Sequence, residues 1–179
     1  MRTRKQPGLV GGLLLSLAFT ATACSGSGDD QIPTVVCGTR VDRDLTRPLL
    51  TSTEDLHESS RVDRSEAISA PCTLLSDGRP ILELFFYWTS DAPKLAGRSE
   101  YDSVFEDVSQ GRPVDLADEA IVGTNGAIVS TPCKTDRSAH FTLKLHLHEA
   151  KITDEGRRKD IEKFMRAYFP ATVKTLSCR

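Results

Sequence analysis

Phe141-Thr142-Leu143-Lys144-Leu145-His146-Leu147-His148 alternates apolar and polar residues without a break. Successive side chains of a strand point to opposite faces, so this octapeptide has one apolar face and one polar face. The apolar face needs a cover, and the chain supplies one directly afterwards. From about Thr153 onward, Ile161, Phe164, Met165 and Tyr168 recur at helical spacing and make an apolar stripe. A half-buried strand followed by such a helix predicts an α+β domain. Pro170 should kink or briefly break the helix before Leu176.

Further upstream, Gly123-Thr124-Asn125-Gly126 separates Glu119–Val122 from Ala127–Ser130. Asn-Gly between two apolar runs is a hairpin signal. Ile81-Leu82-Glu83-Leu84-Phe85-Phe86-Tyr87-Trp88 is aromatic and entered through Asp77-Gly78, which predicts a strand. A weaker strand is expected over 58–67. A short helix is expected over 42–50, capped by Asp42, with Leu45, Leu49 and Leu50 near one face and Pro48 limiting its regularity. The stretch 90–118 is the least regular and predicts a long loop with a short helix near 101–108. Together these readings give a mostly antiparallel four- or five-stranded sheet, with the two helices packed mainly on one face and two disulfides. Ala70-Pro71-Cys72 and Thr131-Pro132-Cys133 each precede a strand, a faint internal echo that the preference of Pro for strand boundaries also explains.

The N-terminus reads as an export signal. Arg2, Arg4 and Lys5 precede an apolar run from Leu9 to Phe19, and small residues follow. That run is shorter than the roughly 20 residues a spanning helix needs. Ala21-Thr22-Ala23 stands directly before Cys24, and Ser25-Gly26-Ser27-Gly28-Asp29-Asp30 after it reads as a flexible tether. Cys24 is therefore expected to carry lipid. Residues 1–23 are then the signal peptide, 24–36 the lipidated cysteine and tether, and 37–179 the folded domain. The same Ala-x-Ala triplet also suits cleavage to a secreted, unlipidated protein. Cysteine parity favours the lipid: of five cysteines, Cys24 would be modified, leaving Cys37, Cys72, Cys133 and Cys178 to pair. A strand of nine residues spans roughly 30 Å and a helix of 22 residues roughly 33 Å. The last helix thus returns Cys178 to the start of the last strand, beside Cys133. The first helix running back along the first strand would bring Cys37 near Cys72.

Residues 1–23 carry three basic residues and no acidic ones, so the remaining chain has 20 basic and 25 acidic residues and a net charge of −5. Nucleic acid and electrostatic binding to an anionic membrane both need a basic footprint, and both are excluded as expectations.

Catalytic motifs are missing. There is no Gly-x-Ser-x-Gly turn, His-Glu-x-x-His, phosphate loop or Cys-x-x-Cys. Asp115, Asp118 and Glu119 offer carboxylates that a solvated loop explains equally well. His146 and His148 share a strand face with His140 and Lys144. Two imidazoles at i and i+2 are a metal-ligand pattern, but Lys144 beside them should repel a cation. The expectation is a polar strand face with no metal and no cofactor. On the aromatic strand, Leu82, Leu84, Phe86 and Trp88 form one row. Ile81, Phe85 and Tyr87 form a second, interrupted only by Glu83. Either the 90–118 segment covers that second row or it is a binding patch for an envelope protein or an apolar ligand.

Cys37-Gly38-Thr39, the Pro48-Leu49-Leu50 helix end, and Pro-Cys before each main strand make up one part of a pattern. Its other part is the terminal Ile161-Glu162-Lys163-Phe164-Met165-Arg166-Ala167-Tyr168-Phe169-Pro170 helix closing on Cys178. This pattern resembles uncharacterised small secreted lipoproteins of actinobacteria, found in streptomycetes and mycobacteria. The resemblance implies an extracytoplasmic location and no known enzyme activity, and it carries over no catalytic or binding residue. The expectation is a lipid-anchored, non-enzymatic binding module on the outer face of the cell membrane. The alternative is a secreted or tethered hydrolase of envelope polymers.

Overall fold

The computed structural model describes residues 31–60, 69–93, 95, 108–150 and 153–179. Cys24, the signal segment, most of the tether, residues 61–67 of the expected weak strand and all but Val108 of the helix expected near 101–108 lie outside the described residues.

The chain opens with a small hairpin, β1 (Val35–Val36) and β2 (Thr39–Arg40). Its turn is Cys37-Gly38, with φ of 48° and 72°. Positive φ at both central residues is what the tight hairpin turn of matching twist requires. Helix α1 (Arg43–Thr46) follows, and Asp42 caps it by accepting a hydrogen bond from the Asp44 amide. Pro48 converts the next turn, Arg47–Leu49, to a 3-10 helix.

The main sheet contains β3 (His57–Ser60), β4 (Ser69–Ser76), β5 (Arg79–Thr89), β6 (Arg112–Pro113), β7 (Glu119–Val122), β8 (Gly126–Pro132) and β9 (His140–Leu147). Their spatial order is β3-β4-β5-β9-β8-β7-β6, and every neighbouring pair is antiparallel. Seven strands replace the four or five expected from sequence. The largest addition is β4, whose Pro71 hides it. Described β3 ends at Ser60 opposite Cys72, one rung short of Pro71, so the missing amide interrupts no described ladder with β3. Asp77 and Gly78, at φ 48° and 72°, join β4 to β5 in a second tight turn.

Helix α2 (Glu155–Val173) covers one face of the sheet. Asp154 caps it by accepting from the Arg157 amide. Ile161, Phe164, Met165 and Tyr168 are all buried, together with Phe169. Phe169 stacks on Phe141 at 6.0 Å, and Phe141 in turn meets Trp88 at 5.2 Å. The expected break at Pro170 does not occur, and the helix runs on to Val173. Proline lacks the amide that would bond the Arg166 carbonyl, yet the helix continues three residues beyond it. The Tyr168 hydroxyl donates to the Val36 carbonyl at 2.9 Å, and Thr39 and Thr172 hydroxyls lie 2.9 Å apart. These bonds clamp the β1–β2 hairpin to α2.

Disulfides join Cys37 to Cys72 and Cys133 to Cys178. The second closes where the path length of α2 returns the chain to the start of β9. The first has a different origin from the one expected. Cys37 sits in the β1–β2 turn ahead of α1, and α1 is too short to run back along a strand.

Candidate functional site

Because α2 seals one face of the sheet, the other face holds the side chains left for function. Its centre is the pairing of β5 with β9. Glu83 lies opposite His146, Phe85 opposite Lys144, and Tyr87 opposite Thr142. On β8, Ile128 and Ser130 continue the rungs of Lys144 and Thr142.

Three zones follow one another along this face. At one end, Thr142 donates to the Ser130 hydroxyl at 3.0 Å, and Ser130 donates to the Phe141 carbonyl at 3.3 Å. This buried polar pair is internally satisfied and structural. In the middle, the half-buried rings of Phe85 and Tyr87 stack at 6.2 Å with a 10° interplanar angle. Lys144 Nζ lies 5.6 Å from the Phe85 ring centre, an attractive cation–ring contact for a lysine residue that is only 5% exposed.

The third zone is the one the sequence conceals. Glu83 Oε2 accepts a hydrogen bond from His148 Nε2 at 2.7 Å, and His146 Nδ1 stands 3.8 Å from the same oxygen. The two imidazoles meet edge-on at 4.7 Å. The other carboxylate oxygen, Oε1, accepts from the Thr73 hydroxyl at 3.3 Å, so Glu83 is held from the β4 side and aimed at the histidines. These side chains are 24–33% exposed, which leaves them accessible.

Part of the face has a cover. Leu95 and Val108 pack on Ile128 and Ile121 as a small second core. The Leu95 amide donates to Glu119 at 2.8 Å, and the Ser109 amide donates to the Asn125 side chain at 2.7 Å. Leu95 and Val108 thus lie over the β7–β8 side of this face.

The residues singled out from sequence separate into groups. Phe85 and Tyr87 share the second face. Ile81 instead joins the main core. Between Leu74↔Leu82 and Leu75↔Pro80 the register shifts, so Ile81 is an extra residue in β5, and a bulge of this kind resets which side a residue faces. His140 lies at the far end of β9 opposite Thr89 and Pro132, away from the other two strand histidines. His57 is exposed on β3. The carboxylates of the 115–119 loop do not converge. Asp118 accepts from Thr131 at 2.6 Å and Glu119 from the Leu95 amide. Glu83, read from sequence only as an interruption in an apolar row, is the group that unites the cluster. Only the strand register reveals it.

Cys37, Glu58 and Cys72 also lie close together, but both sulfurs are in the disulfide, and Glu58 accepts from the Cys37 amide at 2.5 Å. No helix among the described residues is long and apolar enough to cross a membrane. The two disulfides fit an extracytoplasmic or secreted environment. No protein-family model matches the chain, no curated protein matches it, and no solved structure matches it.

Proposed function

We propose that the protein is a non-enzymatic binding module of the cell envelope, held on the outer face of the membrane by lipid on Cys24. The observation that carries the binding role is the stacked, half-buried Phe85–Tyr87 pair, on the sheet face that α2 does not seal. Accessible aromatic pairs supply large contact area at low entropic cost and are typical anchors of protein–protein contacts. The occupant proposed is an envelope protein, with an apolar ligand as the alternative outcome. Cysteine parity supports the anchor, since the four cysteines of the folded domain are all paired and Cys24 is left over.

Native protein extracted from its host membrane and weighed under non-denaturing conditions is expected to carry an acyl mass, four oxidised cysteines and a bound partner. A bare polypeptide with a free thiol would overturn the anchor. Phe85→Asp is expected to abolish partner binding while the disulfides and fold persist. A folded Phe85→Asp protein that kept its partner would overturn the docking face.

A second reading, hydrolysis of envelope polymers, is favoured by the His148–Glu83 hydrogen bond, the pairing a general base uses. It requires that His148→Ala abolish turnover of an envelope polymer in a protein that remains folded.

A further inference from the structure

We propose that Glu83, His146 and His148 form a binding site for a divalent transition-metal ion of the zinc type. The inference goes beyond the docking face and stands whether or not Phe85 and Tyr87 hold a partner.

A polar strand face accounts for His146 alone. It does not account for two imidazoles edge-on at 4.7 Å with a carboxylate oxygen between them. One ligand atom from each residue lies within 4.8 Å of the other two. In a tetrahedral site with bonds of about 2.0–2.2 Å, donors stand roughly 3.3 Å apart. The 2.7 Å and 3.8 Å separations of the two ring nitrogens from Glu83 Oε2 bracket that value, so small side-chain rotations suffice. Two imidazoles and a carboxylate are a borderline donor set, suited to zinc and its neighbours and unsuited to calcium or magnesium.

Three further features support the site. Glu83 and His146 face each other in the β5–β9 ladder, and the His148 amide, just past the end of β9, donates to the Ile81 carbonyl at 3.1 Å, so the backbone holds the three ligands near one another. Thr73 binds the carboxylate oxygen that faces away from the histidines, as an orienting partner does in metal sites. Partial exposure leaves an entry path and room for water or a partner's donor as a further ligand. Lys144, which argued against a cation from sequence, is paired one rung away with Phe85, and its ammonium lies over that ring.

The test uses the untagged full-length chain in detergent, stripped with chelator and titrated with ZnCl2 by calorimetry. Long-range proton–nitrogen spectra of the histidine rings are recorded alongside. One equivalent of zinc is expected to bind, shifting the ring nitrogens of His146 and His148 and not those of His57 and His140, while MgCl2 and CaCl2 give no response. Thr73→Val is expected to weaken binding by roughly 10–100-fold, the usual consequence of losing an orienting partner. Glu83→Gln and His148→Gln are expected to weaken it more. Lack of stoichiometric binding would overturn the site, as would zinc shifts confined to His57 or His140. Should a variant fail to fold, the ring spectra of the unaltered chain decide the matter alone.

Discussion

Glu83 shows how far a single residue's meaning depends on register. Along its own strand it is a flaw in an apolar row. Across the ladder it stands opposite His146, with Thr73 on its other flank. The first is a long-range pairing that no local pattern encodes, and the second spans the hairpin from β4, the strand that Pro71 hides, so the cluster was illegible in the sequence while the alternation of β9 was plain. Glu155 offers a residue-level test of the electrostatics. It is the first residue of α2 and hydrogen-bonds Arg158, which holds its carboxyl below the usual range, with Arg112 adding to the effect. A carboxyl with a depressed folded pKa stabilises the fold above its unfolded pKa, and that contribution is lost as pH falls through the folded value. Glu155→Gln should therefore lower the midpoint of urea unfolding at pH 7. The gap to the parent protein should close as the pH is lowered through the carboxyl range.

Elements differ in how openly the sequence declares them. Helix α2 announces itself because its stripe has period 3.6 and its cap is an aspartate. The β7–β8 hairpin is legible from Asn125-Gly126 and the two flanking runs. β4 is not, since Pro71 and the polar Ser69, Thr73 and Ser76 mask a strand whose core side, Ala70, Cys72 and Leu74, is buried. Two-residue strands such as β6 carry no periodicity at all. The seal that α2 makes on the sheet rests on its aromatic residues. Phe164 is wholly buried and stacks on Tyr168 at 4.9 Å. Phe164→Ala should cost about 3–5 kcal/mol by opening a cavity in that layer, measurable by denaturant titration of the oxidised protein.

Across the whole molecule, the two disulfides close loops with sequence separations of 35 and 45 residues. Chain-entropy arguments assign about 4 kcal/mol to each loop. The double variant Cys133→Ala/Cys178→Ala should lose about 2–5 kcal/mol of unfolding free energy, and it would free the end of α2 rather than the sheet.

The position of those bonds decides how the protein responds to a pull from its two ends. Tension applied before Val35 meets Cys37 within a few residues and jumps through sulfur to Cys72 in β4. Tension applied at Arg179 jumps from Cys178 to Cys133. Stretching can then unravel only the segment from Cys72 to Cys133. Helix α1, strand β9 and the entire span of α2 are shunted out of the mechanical path. A domain hung from a surface by its leading end would keep its aromatic core helix folded under shear, and would yield within the span from Cys72 to Cys133.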